Sequence, residues 1–448
     1  MKVSRVLHAG TIFEDNNHSI IFDPIFENPF SKNCFAFPEI QFDIEKIKKI
    51  KFSAVFISHY HDDHCSFESL NLIDKNTPIY IFCIHQEMIN LIQKLGFKSV
   101  YSIQLNQIYH IGLFKIIPRK ALDFDVDSIF HIQYQNINVL NVVDSWIDDE
   151  TLDLLNQTTS WDLIFWPFQT MRELEVLAPT IQPNLAPEIP HEWINQLKIL
   201  KPKNLVPSSC QFKFESWSWY NKIFFPISYN FFNQTVKDHI PNTHIFRLDP
   251  GDSIQISEHT VEKSNSIDWI KKNQPNDEID YIFNPETLPI DLSKLAQYFE
   301  KLNPTELVQV ENYCKNKIIK KYKALQNDDL IYFQNQKRWQ LIIYYQDGNC
   351  RIYNYIVSHF SLKLETATIH TFDWKTEICA TKLYNALFEG ESLTSLYIRI
   401  NHNLKITDED IDIMEDPLIR CLYTNNFGSY QKAQIKKILK LSNLKASH

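Results

Sequence analysis

The chain has 448 residues, 44% of them hydrophobic and 13% aromatic, and a formal net charge of −9. Only 7 glycines argue against a collagen-like or glycine-rich repeat protein, and the acidic balance offers a polyphosphate no global attraction, so no nucleic-acid partner is expected. The length points to two domains, while eight scattered cysteines without a CxxC pair, the lack of an 18-residue apolar run and the lack of a leader pattern in residues 1–30 point to a cytoplasmic protein with no membrane partner.

In chain order, residues 3–26 (VSRVLHAGTIFEDNNHSIIFDPIF) read as two antiparallel strands around a turn near Asp15–His18. SAVFIS (53–58) is a buried strand and SFESLNLI (66–73) a short helix capped by Ser66. PIYIF (78–82) is a strand, and HQEMINLIQKLG (85–96) a helix that gathers Met88, Leu91, Ile92 and Leu95 on one face and stops at Gly96. FKIIP (114–118) is a strand, IFHIQY (129–134) and NVLNVVD (138–144) a hairpin, and DLIFWPF (162–168) a further strand. HEWINQLKILKPKNLVPSS (191–209) reads as helix, break and strand. The repeating unit of strand, polar tip, helix and strand suggests an α/β sandwich with its polar groups at one end of the sheets.

The composition loosens at 262–278, which divides the chain into 1–265 and 266–448. Beyond it, 305–325 is an amphipathic helix, and 329–357 a strand pair with an Asp347-Gly348 turn. Asp373 and Glu377, four apart, are expected to share a helix face as surface or capping groups. The basic helix 429–445 is expected to present a solvated face. The second part therefore reads as a smaller α+β domain.

SHYHDDH (58–64) places three histidines and two aspartates at the tip of the 53–58 strand. His59 and His61, two apart, point to one side of an extended segment, whereas Asp63 and His64 fall in the turn that follows. Two adjacent metal sites follow, and imidazole with carboxylate suits zinc, iron or manganese. Asp144 ends an apolar run, where a charge has to be at the surface, paired or on a metal.

SHYHDDH resembles the HxHxDH signature of the metallo-β-lactamase fold superfamily, and LHAG with IIFDPIF (7–26) resembles the opening hairpin of its branch of phosphorylated-lactone hydrolases and phospholipase D-type enzymes. The resemblance covers residues 1–260 and implies an αββα sandwich. It implies one or two divalent ions, zinc or iron, held by His59, His61, Asp63, His64 and a bridging Asp144. The pattern also expects a third histidine before Asp144 and a late one after the last helix. In their places PRKALDFDVDSIFH (118–131) offers Asp123, Asp125, Asp127 and a strand-borne His131, and NLVPSSCQF (204–212) offers Ser208, Ser209 and Cys210. Asp127 is the chosen replacement for the missing ligand. The run DVDSIFHIQYQNINVLNVVDS, with the later VPSSCQFKFE, also resembles the oxygenase domain of the CMP-N-acetylneuraminate hydroxylases, an iron site served by a Rieske domain. The Rieske pair of Cys-x-His motifs is absent from this sequence, so such chemistry implies a separate electron-donor protein.

Two enzyme classes follow: a hydrolase acting on a small, anionic substrate, or a non-haem iron oxygenase, set against a non-catalytic protein with a vestigial site. In the hydrolase, Asp63 and Asp144 are the catalytic carboxylates, Asp63 orienting a water. His8, in the LHAG turn, either lines the substrate site or caps its loop. Arg119 and Lys120 are candidates to hold an anionic group, or a solvated pair. Arg172, Glu173 and Glu215 are candidate hydrogen-bond partners of the metal ligands. Cys210 reads as a core thiol before a ligand or nucleophile. The aromatic run at 216–232 either walls a pocket or packs the two domains together, the latter being favoured.

Overall fold

The structure, a computed structural model, describes residues 1–123, 125–158, 160–179, 186–258, 260–273, 279–325, 332–365, 371–402 and 413–446. Two large sheets form the body of the first part. One runs in the order Val261–Ser264, Ser253–Ile256, Lys2–Arg5, Thr11–Glu14, Ser19–Phe22, Ala54–Ile57, Ile79–Ile81, Val100–Ser102. The other runs His244–Ile245, Asn204–Ser208, Leu163–Pro167, Ile137–Asn141, Ser128–Tyr134, Phe114–Lys120, Tyr109–Ile111.

Strand side chains alternate between two faces, so each sheet has an inner and an outer apolar set. The inner sets meet as one core, in which Phe22 packs on Phe130 at 5.0 Å between ring centroids and Phe13 on Phe165 at 6.3 Å. The outer sets are covered by helices: Gln86–Lys94 buries Met88 and Ile92, Asp149–Asn156 buries Leu152 and Leu155, and His191–Leu200 buries Trp193 and Leu197. The expected αββα sandwich is therefore present. Ala54–Ile57 pairs in parallel with both neighbours, and Ile137–Asn141 in parallel with Leu163–Pro167. Loops beyond the ends of such strands are free of the packed layers and are where a site can form.

The first 26 residues form three strands rather than two. Between Lys2–Arg5 and Thr11–Glu14 the chain turns at Leu7–Gly10, with Gly10 N donating to Leu7 O at 2.7 Å and His8 at φ 55°. A Cβ on Gly10 would stand 2.9 Å from Leu7 O and 3.0 Å from Asp23 O, so only glycine closes this turn. Much of the stretch read as loose at 262–278 is paired: Val261–Ser264 with Ser253–Ile256, and Ile270–Lys272 with Ile40–Phe42.

The C-terminal part is a five-stranded sheet in the order Ser361–Glu365, Cys350–Ser358, Lys337–Tyr344, Trp374–Cys379, Arg399–His402. The helix expected at 305–325 is Pro304–Asn312 and Ile318–Ala324 joined by a π turn at Tyr313–Lys317, and it starts in a capping box between Asn303 and Glu306. Asp373 and Glu377 do not share a helix. Trp374–Cys379 is a strand with Trp374, Thr376 and Ile378 facing the core, and Glu377 accepts from Tyr344 Oη and Asn401 Nδ2 on its two neighbours. The apolar spacing there is two, not four, and parallel pairing to Lys337–Tyr344 decides it.

The aromatic run packs the two parts together, as favoured. Trp217 stacks on Tyr298 at 4.7 Å, Tyr220 lies 4.7 Å from Tyr397, and Tyr397 Oη donates to Glu215 at 2.5 Å. The basic C-terminal helix Ser429–Ala446 does present a solvated face, with Lys432, Lys436, Lys437 and Lys440 exposed, but its other face, with Tyr430, Gln431, Gln434 and Ile435, is buried. Its cations cluster on one side and leave a second side to pack. Among the described residues no helix is long and apolar enough to cross a membrane.

Candidate metal centre

Three chain segments converge at one end of the sandwich. The first is the loop after Ala54–Ile57. Its turn is closed by His61 O, which accepts from His64 N at 3.1 Å and Cys65 N at 2.8 Å. This folds the histidines onto one another: the His59 ring lies 4.0 Å from that of His64 and 4.5 Å from that of His61. The second segment is the Leu7–Gly10 turn, whose positive-φ residue His8 is fully buried. The third follows Ile137–Asn141, where Val143 at φ 64° turns the chain and presents Asp144.

His8, Asp63, His64 and Asp144 each bring one ligand atom to within 4.8 Å of the others. His64 Nε2 lies 2.9 Å from Asp144 Oδ2 and 3.1 Å from His8 Nε2, and His8 Nε2 lies 3.1 Å from Asp63 Oδ2. The far sides of both rings are engaged. His8 Nδ1 faces the Cys210 carbonyl at 3.2 Å, and His64 Nδ1 faces the buried Asp23 carboxylate at 3.2 Å. A carbonyl and a carboxylate only accept, so each Nδ1 carries a proton, and Nε2 is the nitrogen of each ring that faces inward and would take a metal ion.

Two imidazole nitrogens and two carboxylates thus converge. Asp144 Oδ1 and Asp127 Oδ1 are buried and have no hydrogen-bond partner. Buried anionic oxygens left unpaired are costly, and a cation among them removes the cost. The donor set therefore fits a divalent metal ion.

With protons alone, the charges settle unevenly. Burial opposes charge on His64, but the Asp144 and Asp63 carboxylates outweigh it and raise its pKa well above the ordinary value. Burial likewise pushes Asp63 and Asp144 up, and the positive charge of His64 reverses this and holds both below the carboxylate range. Burial, and then the His64 and His61 charges, drive His59 well below its ordinary value.

Asp127 stands beside this group, with Oδ1 3.7 Å from His59 Nδ1 and Oδ2 accepting from Ser145 Oγ at 2.9 Å. Burial and the Asp144 charge raise its pKa to about 6. Of the three loop carboxylates Asp127 alone turns in; Asp123 and Asp125 are exposed. His131 does not approach the centre. It lies on Trp161, bonds Asn138 at 3.1 Å, and burial lowers its pKa to about 4. His61 is exposed and marks the open side. Glu173 faces that side: solvent reaches it, yet surrounding protein, then Asp63, raise its pKa.

Several expected contacts are absent among the described residues. Lys120 pairs with Glu150 at 3.2 Å and Asp148 at 3.4 Å, and Arg119 donates to Asn106 at 2.8 Å. Arg172 pairs with Glu175 at 3.0 Å, and Glu215 takes the Tyr397 hydroxyl. Hydrogen bonds to the candidate ligands come instead from Asp23, from Ser58 and from the Cys210 carbonyl. Asp23 accepts from Ser58 N at 2.7 Å and Ser58 Oγ at 2.8 Å, and Ser58 Oγ lies 2.9 Å from His59 Nδ1. The argument applied to Asp144, a carboxylate ending an apolar strand, also applies to Asp23 in IIFDP. The Cys210 thiol bonds Tyr281 Oη at 3.2 Å, and burial lifts its pKa to about 12, which rules out a ready nucleophile.

Asp23→Asn is expected to lower metal affinity by about 10- to 100-fold, because the amide no longer selects the Nδ1–H tautomer of His64. Competition with a chromophoric chelator measures this; an unchanged affinity would show that Asp23 only holds Ser58.

No protein-family model matches the chain, and no curated protein sequence matches it. Solved structures do. A metallo hydrolase from the archaeon Ignicoccus hospitalis is 17% identical over 57% of this chain and 99% of its own, with a TM-score of 0.39. A metallo-β-lactamase fold protein from Bacillus subtilis is 15% identical over 57% and 99%, with a TM-score of 0.39. The diiron β-hydroxylase CmlA from Streptomyces venezuelae is 12% identical over 59% of this chain and 54% of its own, also at 0.39. Two face-to-face sheets between helices, with SHYHDDH beyond a central parallel strand, define the N-terminal architecture. This is the αββα arrangement that the resemblance to the metallo-β-lactamase fold implies. His8 from the opening turn, rather than a late histidine, stands with Asp63, His64 and Asp144.

Proposed function

We propose that the centre binds divalent metal, one ion among His8, Asp63, His64 and Asp144 and a second beside His59, His61 and Asp127, and that the protein is a metal-dependent hydrolase of a small substrate. The observation that carries this is the convergence of two imidazole nitrogens and two carboxylates within 4.8 Å, with Asp144 Oδ1 left unpaired. Asp144 lies between the two groups, 2.9 Å from His64 and within charge range of Asp127, as a bridging carboxylate would. A divalent ion there supplies an acidified water and a Lewis acid toward a carbonyl or phosphoryl oxygen. Burial and the Asp144 charge raise the Asp127 pKa to about 6 in the metal-free protein, and a cation beside it would relieve that and favour the carboxylate. Asp63, held ionised, orients a donor on the open side. Arg119 and Lys120 bond Asn106, Asp148 and Glu150, and an anionic substrate would have to draw them from these partners.

A second reading rests on the three carboxylates, Asp63, Asp127 and Asp144, in the donor set. Oxygen-rich ligands with open positions suit iron, and an iron oxygenase would draw electrons from a separate donor protein. Elemental analysis with an anaerobic ultraviolet–visible spectrum separates the two. Zinc alone supports hydrolysis, and an iron spectrum that changes on admitting dioxygen supports oxidation. His8→Ala is expected to lose one tightly held ion under either reading; unchanged stoichiometry would remove His8 from the ligand set.

A further inference from the structure

The loop that carries His59, His61, Asp63 and His64 is held from outside by the last helix of the chain. Gln431 Nε2 donates to Tyr60 O at 2.8 Å and to Cys65 O at 3.1 Å. Gln434 accepts from Phe67 N at 2.7 Å and donates to Ser66 Oγ at 3.0 Å. Both glutamines are nearly sealed from solvent, at 2% and 5% exposure, so these bonds do not compete with water. Phe427, just before the helix, wedges its ring 4.7 Å from Tyr60 and 4.2 Å from His85. Lys437 and Lys432 add ion pairs to Glu68 at 2.8 Å and Glu87 at 2.9 Å, on the two helices that flank the loop.

A carboxamide nitrogen carries two hydrogens. Here each hydrogen goes to one end of the same turn. The turn is closed internally by His61 O, and Gln431 ties residue 60 to residue 65 through a single atom. Those two residues bracket His61, Asp62, Asp63 and His64. Separating them moves the His59–His61 pair relative to Asp63 and His64, which are the two halves of the proposed centre.

We propose that the C-terminal helix is a strap that sets the spacing between the two halves of the metal-binding loop, with Gln431 as its positioning residue. The inference rests on the proposed metal centre. It makes the C-terminal part a component of that centre, 366 residues from Cys65 along the chain.

The test uses the full-length protein, titrated with Co²⁺ and read by affinity and by the visible spectrum. Gln431→Met keeps the side-chain length and removes both donors. It is expected to weaken Co²⁺ binding by about 10- to 100-fold, the usual cost of losing a support behind a ligand, and to alter the visible bands. Lys437→Met, which loses only an exposed ion pair on the same helix, is expected to stay within about twofold. If Gln431→Met does not fold, Gln431→Asn decides on the same readouts, since it keeps the amide on a stem too short to reach both carbonyls. A Gln431 variant that melts earlier without metal, yet matches the parent in affinity and spectrum, overturns the strap. His64→Ala is run alongside. If it loses the ion while the Gln431 variants keep it, only the strap fails; if it too keeps the ion, the metal centre and the strap fall together.

Discussion

His64→Ala empties the centre and destabilises what remains. His64 touches every other member of the group and the carboxylate behind it: Asp144 at 2.9 Å, His8 at 3.1 Å, Asp63 at 3.7 Å and Asp23 at 3.2 Å. Its loss removes an imidazole ligand, and metal affinity is expected to fall by at least about 100-fold, the upper end of what a mere support costs. A second effect falls on the metal-free protein. There His64, itself fully buried, is the cation that pairs with the half-buried Asp144 and Asp63 carboxylates; removing one partner of a fully buried pair costs about 3–5 kcal/mol, which is the upper bound here. Chelator-treated protein unfolded in urea measures the second effect, and metal content after dialysis the first. Parental metal content in the variant would end the case for this centre.

The pH dependence of the metal-free protein is expected to differ from that of the loaded one. His64 has its pKa raised in the folded state. It therefore contributes stability that is complete below its unfolded pKa of about 6.5 and is lost as pH rises through the folded value. Asp127, raised to about 6, adds a fall in the same direction between about pH 4 and 6. Asp63 and Asp144, both lowered, contribute stability present above about pH 4 and lost below it. Stability without metal should thus decline on the alkaline side, by up to about 1.4 kcal/mol per pH unit for one proton. A metal ion replaces the His64 proton and abolishes that decline. Calorimetric titrations in buffers of different ionisation enthalpy are expected to show about one proton released per ion near neutral pH. No release would mean that His64 already carries a free Nε2 lone pair and is not the cation of the metal-free cluster.

Both outcomes depend on residues that differ in how visible they are from sequence. SHYHDDH is legible because its candidate ligands are local: they lie within six positions, next to a strand whose apolar run announces it. Asp144 is legible by the same route, a charge closing VLNVV. The π turn within 313–317 and the strand at Trp374–Cys379 are not, because neighbouring strands and helices override the local period there. Asp23 illustrates an intermediate case. Its apolar context is readable, but its partners are set by the register Phe22↔Phe56, which places residue 23 beside Ser58.

Sequence by itself determined the alternating strands and helices of the sandwich, the loop rich in imidazole and carboxylate, and the chemistry that those groups permit. Tertiary structure alone decided which distant residues complete the centre. His8 arrives through a positive-φ turn that only Gly10 closes, Asp127 turns in while Asp123 and Asp125 stay out, and Gln431 reaches back from the last helix. The reason is physical: periodicity records which face of an element is buried, whereas the meeting of side chains from separate elements is set by sheet order, register and turn handedness, which are properties of the packed chain.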